Sequence, residues 1–212
     1  FLGFSAGEAR DHHRLEAHPA ARGARREEAA RVAELGDDAL FTLLSHDLDP
    51  FNRWEAAQKL ALRRILHAVK GHGHVELDGR FIEAMRGVLR HPELDAAFKE
   101  LVLTLPSEAY VAEQLEVVDP QRIHAVRESM KVQLAHALHE DWAWAYEANA
   151  ELGGYSPDSV SAGRRALANL SLGMLTLEGV SRHNPIWVGK AYQRFKDATN
   201  MTDRLGALSA LV

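Results

Sequence analysis

The chain has 212 residues, enough for the core of one domain, and its 46% hydrophobic and 26% charged residues are ordinary for a globular protein. A net charge of −5 gives no electrostatic basis for binding nucleic acid, and the absence of cysteine excludes disulfides and thiolate metal sites. Because no apolar run is long enough to cross a bilayer and no signal segment begins the chain, we expect no membrane partner.

Residues 1–36 differ in composition from the rest of the chain. The first seven residues, FLGFSAG, are apolar and glycine-containing, which is typical of a strand end or a loop. Residues 8–30 are dense in Arg, His, Glu and Ala with weak periodicity, so we predict a surface helix or a flexible connector without chemistry. The chain begins with Phe1 and ends in an apolar helical pattern without a terminator, and we therefore expect a fragment of a longer protein.

The segment HDLDPFNRWEAAQKLA, residues 46–61, carries the clearest helix start. Asp49 is suited to cap the first turn, and Pro50 suits the first helical position, where no amide hydrogen is needed. An apolar face follows at helical spacing: Phe51, Trp54, Ala57 and Leu60 or Ala61. A capping residue followed by proline also precedes three further helical patterns, at Asp119-Pro120, Ser156-Pro157 and Asn184-Pro185.

From residue 37 onward, caps and apolar periodicity predict a series of helices joined by short turns. Predicted helices cover about 37–45, 49–70, 78–90, 93–103, 106–115 and 119–149, and three more begin near residues 156, 184 and 200. Strand-like alternation occurs only briefly, at residues 74–77. We therefore predict an all-α fold, an irregular superhelical (HEAT-like) array of about eight antiparallel helices after a short non-helical N-terminal segment.

Twelve histidines raise the question of a metal site. The best cluster is His67, His72 and His74, of which the last two flank a glycine in a predicted loop. No carboxylate or cysteine stands at an established ligand spacing, so a polar turn between helices is favoured over a metal site. The segment at residues 12–16, HHRLE, is a weaker candidate.

His136 and His139 lie three residues apart on a predicted helix and are interpreted as part of a solvated stripe. His139-Glu140 begins the H-E-x-x-H pattern of zinc peptidases, but the second histidine position holds Ala143. A G-x-S-x-G elbow, a phosphate-binding glycine loop and a nucleophilic cysteine are also absent from the sequence. We therefore predict no catalytic, cofactor-binding or metal-ligating residue in this chain.

Aromatic and basic residues give weaker signals. At helical spacing tryptophans more often fill a core or an interface than a pocket, and the chain has four: Trp54, Trp142, Trp144 and Trp187. Arg53, at a helix start, is predicted to bridge to a carboxylate or a backbone carbonyl rather than to a substrate. Arg164-Arg165 could meet an acidic ligand, although a solvated face is the favoured interpretation.

Several segments in the same order carry a family resemblance. They are HDLDPFNRWEAAQKLAL from residue 46, LTLPSEAYVAEQ (103–114), VVDPQRIHAVRE (117–128), GRRALANLSL (163–172) and NMTDRLGALSALV (200–212). Together they resemble the C-terminal helical domain of bacterial aminopeptidase N, the zinc-dependent alanyl aminopeptidase family. FLGFSAG is similar to the end of the small β-sandwich before that domain, although Gly7 stands where the family usually has proline. Residues 8–30 do not resemble the family and are interpreted as an insertion.

The resemblance implies a division into residues 1–36, the end of the β-sandwich and a connector, and residues 37–212, an incomplete helical domain. It implies a zinc metallopeptidase that removes N-terminal amino acids from peptides, with zinc and catalytic residues upstream of this chain. Residues 37–212 would cover the catalytic cleft and control the access of short peptides. We expect a bacterial, cytoplasmic enzyme whose isolated helical part is inactive. Two alternatives stay open, a free-standing helical scaffold for protein partners and a small metal site at His72.

Overall fold

A computed structural model describes residues 35–71, 74–150 and 155–212. Residues 35–212 form one compact unit. The expected β-sandwich end and connector fall almost wholly on residues 1–34, outside the described residues. In the described ranges there are ten helices and no strand: α1 Asp37–His46, α2 Pro50–Lys70, α3 Gly79–Arg90, α4 Ala96–Leu103, α5 Glu108–Ala112, α6 Pro120–Ala137, α7 His139–Asn149, α8 Ser159–Ser181, α9 Ile186–Asp197 and α10 Met201–Leu211. The predicted all-α array is confirmed.

Helix starts follow the predicted caps at α2 and α6 and differ at α8 and α9. The start of α9 has Pro185 at the cap position, with no side-chain cap hydrogen bond. Asp49 accepts a hydrogen bond from the Phe51 amide at 2.9 Å, and Asp119 accepts one from the Arg122 amide at 3.0 Å. At the start of α8 the cap is Asp158 rather than Ser156-Pro157. The Ser156 hydroxyl donates to the Asp158 carboxylate at 2.5 Å and so lowers the pKa of that carboxyl from its ordinary value. Asp158 thus offers the α8 amides an ionised acceptor.

The helix predicted over residues 119–149 is wrong in one respect, since the structure divides it into α6 and α7. Leu138 adopts φ −116° and ψ 24°, outside the helical region, and its side chain is fully buried. The break lets the Trp142 indole N–H donate to the backbone carbonyl of Leu134 at 3.2 Å in the interior. Burial of these two large side chains therefore outweighs the helical periodicity that runs through the segment.

Two other predicted elements are shorter than expected. The predicted helix over 93–103 begins only at Ala96, capped by Asp95, and the one over 106–115 is the five-residue α5. Residues 74–77 form no strand, although Val75 and Leu77 are buried in the expected alternation. The Gln133 amide satisfies that extended segment by donating to the Val75 carbonyl and accepting from the Leu77 amide. A side chain of α6 thus makes the backbone hydrogen bonds that a partner strand would otherwise make.

The long helix α8 organises the C-terminal part of the array, since it contacts α4, α6, α7, α9 and α10. Its core side chains Leu167, Leu172 and Leu175 are at most 1% exposed. Gly163 permits the close contact with α4, because a Cβ there would lie 2.8 Å from the backbone nitrogen of Ala97. In the described part of the chain, no helix is both long and apolar enough to cross a membrane.

Candidate functional sites

The histidine cluster proposed from the sequence is only partly visible, since His72 falls outside the described residues. His67 and His74 are both exposed and border one shallow depression. The same depression is bordered by two arginines and three carboxylates: Arg63, Arg64, Asp37, Glu76 and Asp78. Asp37 and Asp78 already form ion pairs with the arginines, so a cation would have to compete with guanidinium groups for them. The described part of this cluster therefore favours the polar-turn interpretation.

His136 and His139 are not a solvated stripe, because both face a buried carboxylate. The Glu178 side chain on α8 is only 4% exposed, and its oxygens lie 3.8 Å from His136 Nδ1 and 3.4 Å from His139 Nδ1. Arg182 completes the cluster, with its Nε 2.8 Å from Glu178 Oε1. The sequence carried a signal for this burial, since Glu178 follows the buried Met174 and Leu175 at helical spacing.

The hydrogen bonds of this cluster define its chemistry. Arg182 Nε donates to His136 Nδ1 at 2.9 Å, and His136 Nε2 lies 2.8 Å from the Ser181 hydroxyl, which itself donates to the Glu178 carbonyl. These contacts connect His136 to both Ser181 and Arg182 at the end of α8. A guanidinium already occupies the Glu178 carboxylate, so the cluster is balanced internally and is suited to a structural role.

A second group of possible metal ligands lies where α5 meets α6. Glu108, His124 and Glu128 each bring a ligand atom within 4.8 Å of the others, and His124 Nδ1 lies 2.8 Å from Glu108 Oε1. However, Lys131 Nζ contacts both Glu128 oxygens at 2.8 and 2.9 Å. A divalent cation would have to displace this ammonium group, and all three ligands are at least partly exposed. The group is better explained as a surface network of charges.

The aromatic and basic residues singled out from the sequence separate into structural and accessible groups. Arg53 Nε donates to the Leu44 carbonyl at 2.9 Å, which confirms the predicted structural bridge. Trp142 and Trp187 are buried in the core, as expected. Trp144 is 40% exposed and borders a cavity of about 550 Å³. Arg164 borders the same cavity, so this is where two of the candidates meet.

Arg164 and Arg165 have different environments, contrary to the shared solvated face predicted for them. Arg165 is 3% exposed, and its guanidinium lies 4.7 Å from the centre of the Tyr155 ring. Arg164 is exposed. The cavity also includes Lys99, which is 8% exposed and was not singled out from the sequence. Its position was nevertheless readable, because Lys99 stands at helical spacing from the buried Val102 and Leu103.

Comparison with known proteins identifies the family of this helical array. A family model described as a domain of unknown function, DUF3458_C, ARM repeats, matches residues 37–212. The chain belongs to this family. The match covers all ten described helices, so the DUF3458_C domain and the helical array are the same part of the chain.

Curated relatives of the chain are aminopeptidases. Aminopeptidase N of Caulobacter vibrioides is 33% identical over 172 residues, covering 81% of this chain and 20% of that protein. Aminopeptidase N of Escherichia coli K12 is 34% identical over 179 residues, covering 83% of this chain and 20% of that protein. The chain therefore spans about a fifth of the length of these relatives. The predicted resemblance to aminopeptidase N is confirmed.

A solved structure shows the same fold. Aminopeptidase A of Legionella pneumophila, crystallised in complex with aspartic acid, matches with a TM-score of 0.71 and 24% identity. The match covers 84% of this chain and 21% of that chain. The helical arrangement of the DUF3458_C domain thus recurs as a minor part of a much longer protein.

Proposed function

We propose that this chain is the helical C-terminal domain of a zinc metallo-aminopeptidase that removes N-terminal amino acids from peptides. The observation that carries the proposal is the match of residues 37–212 to the DUF3458_C family together with aminopeptidase N relatives over 81–83% of the chain. The sequence itself holds no H-E-x-x-H motif. Zinc and the catalytic residues are therefore assigned to the remainder of the parent polypeptide.

The chain's role is then to cover the catalytic cleft and to limit the access of peptides. Two turns of the array support a buried face in the parent, because both present large apolar side chains to solvent. Leu48 is 98% exposed before α2, and Val117 is 84% exposed before α6. Such residues are expected to contact the catalytic domain of the same polypeptide. Short peptides are the proposed substrates, with neither nucleic acid nor membrane as a partner, in the bacterial cytoplasm.

The described residues of this chain do not fit a catalytic zinc site. Glu108, His124 and Glu128 are the one group of three suitable ligands among them, and Lys131 already holds Glu128. In the parent, zinc would polarise the first peptide carbonyl and activate water. In this proposal the chain supplies no residue to that step. Its helical array covers the catalytic cleft and so excludes bulk water and folded proteins.

The test compares the parent enzyme with and without the helical array. We expect the full-length parent to release alanine from an alanyl dipeptide, and a chelator to abolish that release. A parent truncated before residue 37 should lose its preference for short peptides over long ones, and the present chain alone should release no alanine. Zinc-dependent release by this chain alone would contradict the proposal. A reading frame without an upstream H-E-x-x-H helix would favour the free-standing scaffold instead.

A further inference from the structure

The cavity bordered by Trp144 lies where three helices converge. It is formed by the first turns of α4 and α8, with Ala96 and Ala97 from one and Ser159 and Val160 from the other, and by the second half of α7. Its volume of about 550 Å³ lies within the range that small-molecule sites occupy. The amides at both helix starts are capped by carboxylates, since Asp95 accepts from the Phe98 amide and Asp158 from the Ser161 amide. Any attraction of an anion must therefore come from the basic side chains that border the cavity.

Lys99 provides an independent sign that the cavity accepts an anion. The side chain is 8% exposed and borders the cavity. Among the described residues, the recorded contact of its ammonium is with the Trp144 ring, whose centre is 5.9 Å away, and no carboxylate pairs with it. Burial lowers the pKa of Lys99 from its ordinary value, and the charge of Asp95 only partly opposes that shift. An ammonium held in this way gains a partner when an anion enters.

Arg164 supplies a second cation at the cavity wall. It lies one residue after Gly163, which brings α8 against the first turn of α4. Arg164 is exposed, so its guanidinium is accessible to a ligand from solvent. Lys99 and Arg164 thus bring a compact ammonium and a planar guanidinium to the border of one cavity, and both groups bind carboxylates.

The rest of the cavity limits what the anion can be. Trp144 and the side chains of Leu94, Ala148 and Leu167 form an apolar wall that a bare inorganic anion would leave unfilled. The centre of the Trp144 ring lies 4.3 Å from the Arg90 guanidinium and 5.9 Å from the Lys99 ammonium, so cations stabilise the position of the ring. Asp95 also borders the cavity, and its charge opposes a dianion such as phosphate more strongly than a monoanion.

We propose that this cavity binds small carboxylates with an apolar or aromatic body, the carboxylate lying on Lys99 and Arg164 and the body against Trp144. The chemistry is shared by two sources, the C-terminal carboxylate of a short peptide and a free organic acid. The site is additional to the proposed covering of a catalytic cleft and does not depend on it, because all of its groups belong to this chain.

Calorimetric titration of the purified chain tests the proposal with three probes. N-acetyl-L-phenylalanine represents a peptide end, 3-phenylpropanoate represents a free acid, and N-acetyl-L-phenylalanine amide is the neutral control. We expect the better carboxylate to bind at least about tenfold more tightly than the amide, as the loss of a charge-assisted hydrogen bond implies. Tighter binding of the acetylated amino acid identifies the peptide end, and tighter binding of phenylpropanoate identifies the free acid. Absence of binding up to about 10 mM, or equal binding of the amide, overturns the proposal.

Variants locate the binding to the cavity. Lys99→Met should weaken carboxylate binding at least about tenfold and should remain folded, because it replaces a buried charge with an apolar chain of similar length. Asp95→Asn keeps a helix cap and should tighten binding severalfold by removing the opposing charge. Lys196→Met, at an exposed lysine of α9, is the matched control and should bind as the unaltered chain does. Unchanged affinity in Lys99→Met, with folding confirmed by circular dichroism, would refute the assignment.

Discussion

The two ends of the helical array each contain an arginine–carboxylate ion pair, but the partner that is buried differs between them. Near α1–α3, the Arg64 side chain is 14% exposed, while its partners Asp37 and Asp78 are 45% and 50% exposed. On α8, the carboxylate of Glu178 is 4% exposed, while its partner Arg182 is 60% exposed. The cation is the inner group at one end, and the anion is the inner group at the other.

This difference decides which substitutions each end tolerates. The Arg64 guanidinium lies 4.7 Å from the centre of the Phe81 ring and 5.6 Å from that of Phe41, so it is stabilised even without a carboxylate. Among the described residues, the further charged or polar neighbours of the Glu178 carboxylate are two histidines at 3.4 and 3.8 Å. Loss of the outer partner should therefore matter little at the first end and considerably at the second.

The largest expected effect is that of Arg182→Gln. It should lower the free energy of unfolding by about 1.5–3 kcal/mol, because it leaves the buried Glu178 carboxylate without its cation. Asp78→Asn, the matched removal of an outer partner, should cost less than about 1 kcal/mol. Urea unfolding at neutral pH measures both.

The double variant Glu178→Gln/Arg182→Gln separates a buried-charge penalty from simple loss of contacts. It should be more stable than Arg182→Gln alone, because the unpaired charge is gone. If the double variant is as unstable as the sum of the two single variants, the inner and outer roles assigned to these groups are wrong.

The next largest effect concerns glycines, which differ in how closely another helix approaches them. Gly163→Ala should destabilise the fold by about 1–3 kcal/mol, since the new Cβ would meet Ala97 nitrogen at 2.8 Å, and backbone cannot move aside freely. Gly87→Ala on α3 and Gly173→Ala elsewhere on α8 meet nothing within 4 Å and should stabilise by about 0.5–1 kcal/mol through helix propensity. Thermal unfolding of the three variants checks the signs; stabilisation by Gly163→Ala would disprove the close crossing.

Local signals in the sequence predicted the helices well, because each cap and each Pro start depends on a few neighbouring residues. Asp49 and Asp119 cap as predicted. The break at Leu138 was not predicted, since it follows from burial against distant helices rather than from a breaker residue. Charged residues on apolar faces were likewise missed: Lys99 and Glu178 carried the period of the core but were given no role. The Trp144 ring near Lys99 and the two histidines near Glu178 come from other helices, and a single sequence does not reveal those contacts.

The smallest expected effect concerns acid. Partial burial alone would raise the pKa of Asp78, but hydrogen bonds from Arg64 and the Phe81 amide prevail and hold it below its ordinary value. A carboxyl with a lowered pKa in the folded state contributes stability above its unfolded pKa, near about 3.9, and this contribution disappears as the pH falls through the folded pKa. Asp78→Asn should therefore lose less stability than the unaltered chain between about pH 5 and about pH 3. Asp38→Asn, at a carboxylate 91% exposed beside Arg80, is the matched control and should keep the steeper acid dependence. Equal slopes for Asp78→Asn and the unaltered chain would mean that the bond from Arg64 does not make the Asp78 carboxylate a source of acid-dependent stability, and the support of Arg64 would then rest on Asp37, the Leu60 carbonyl and its aromatic contacts.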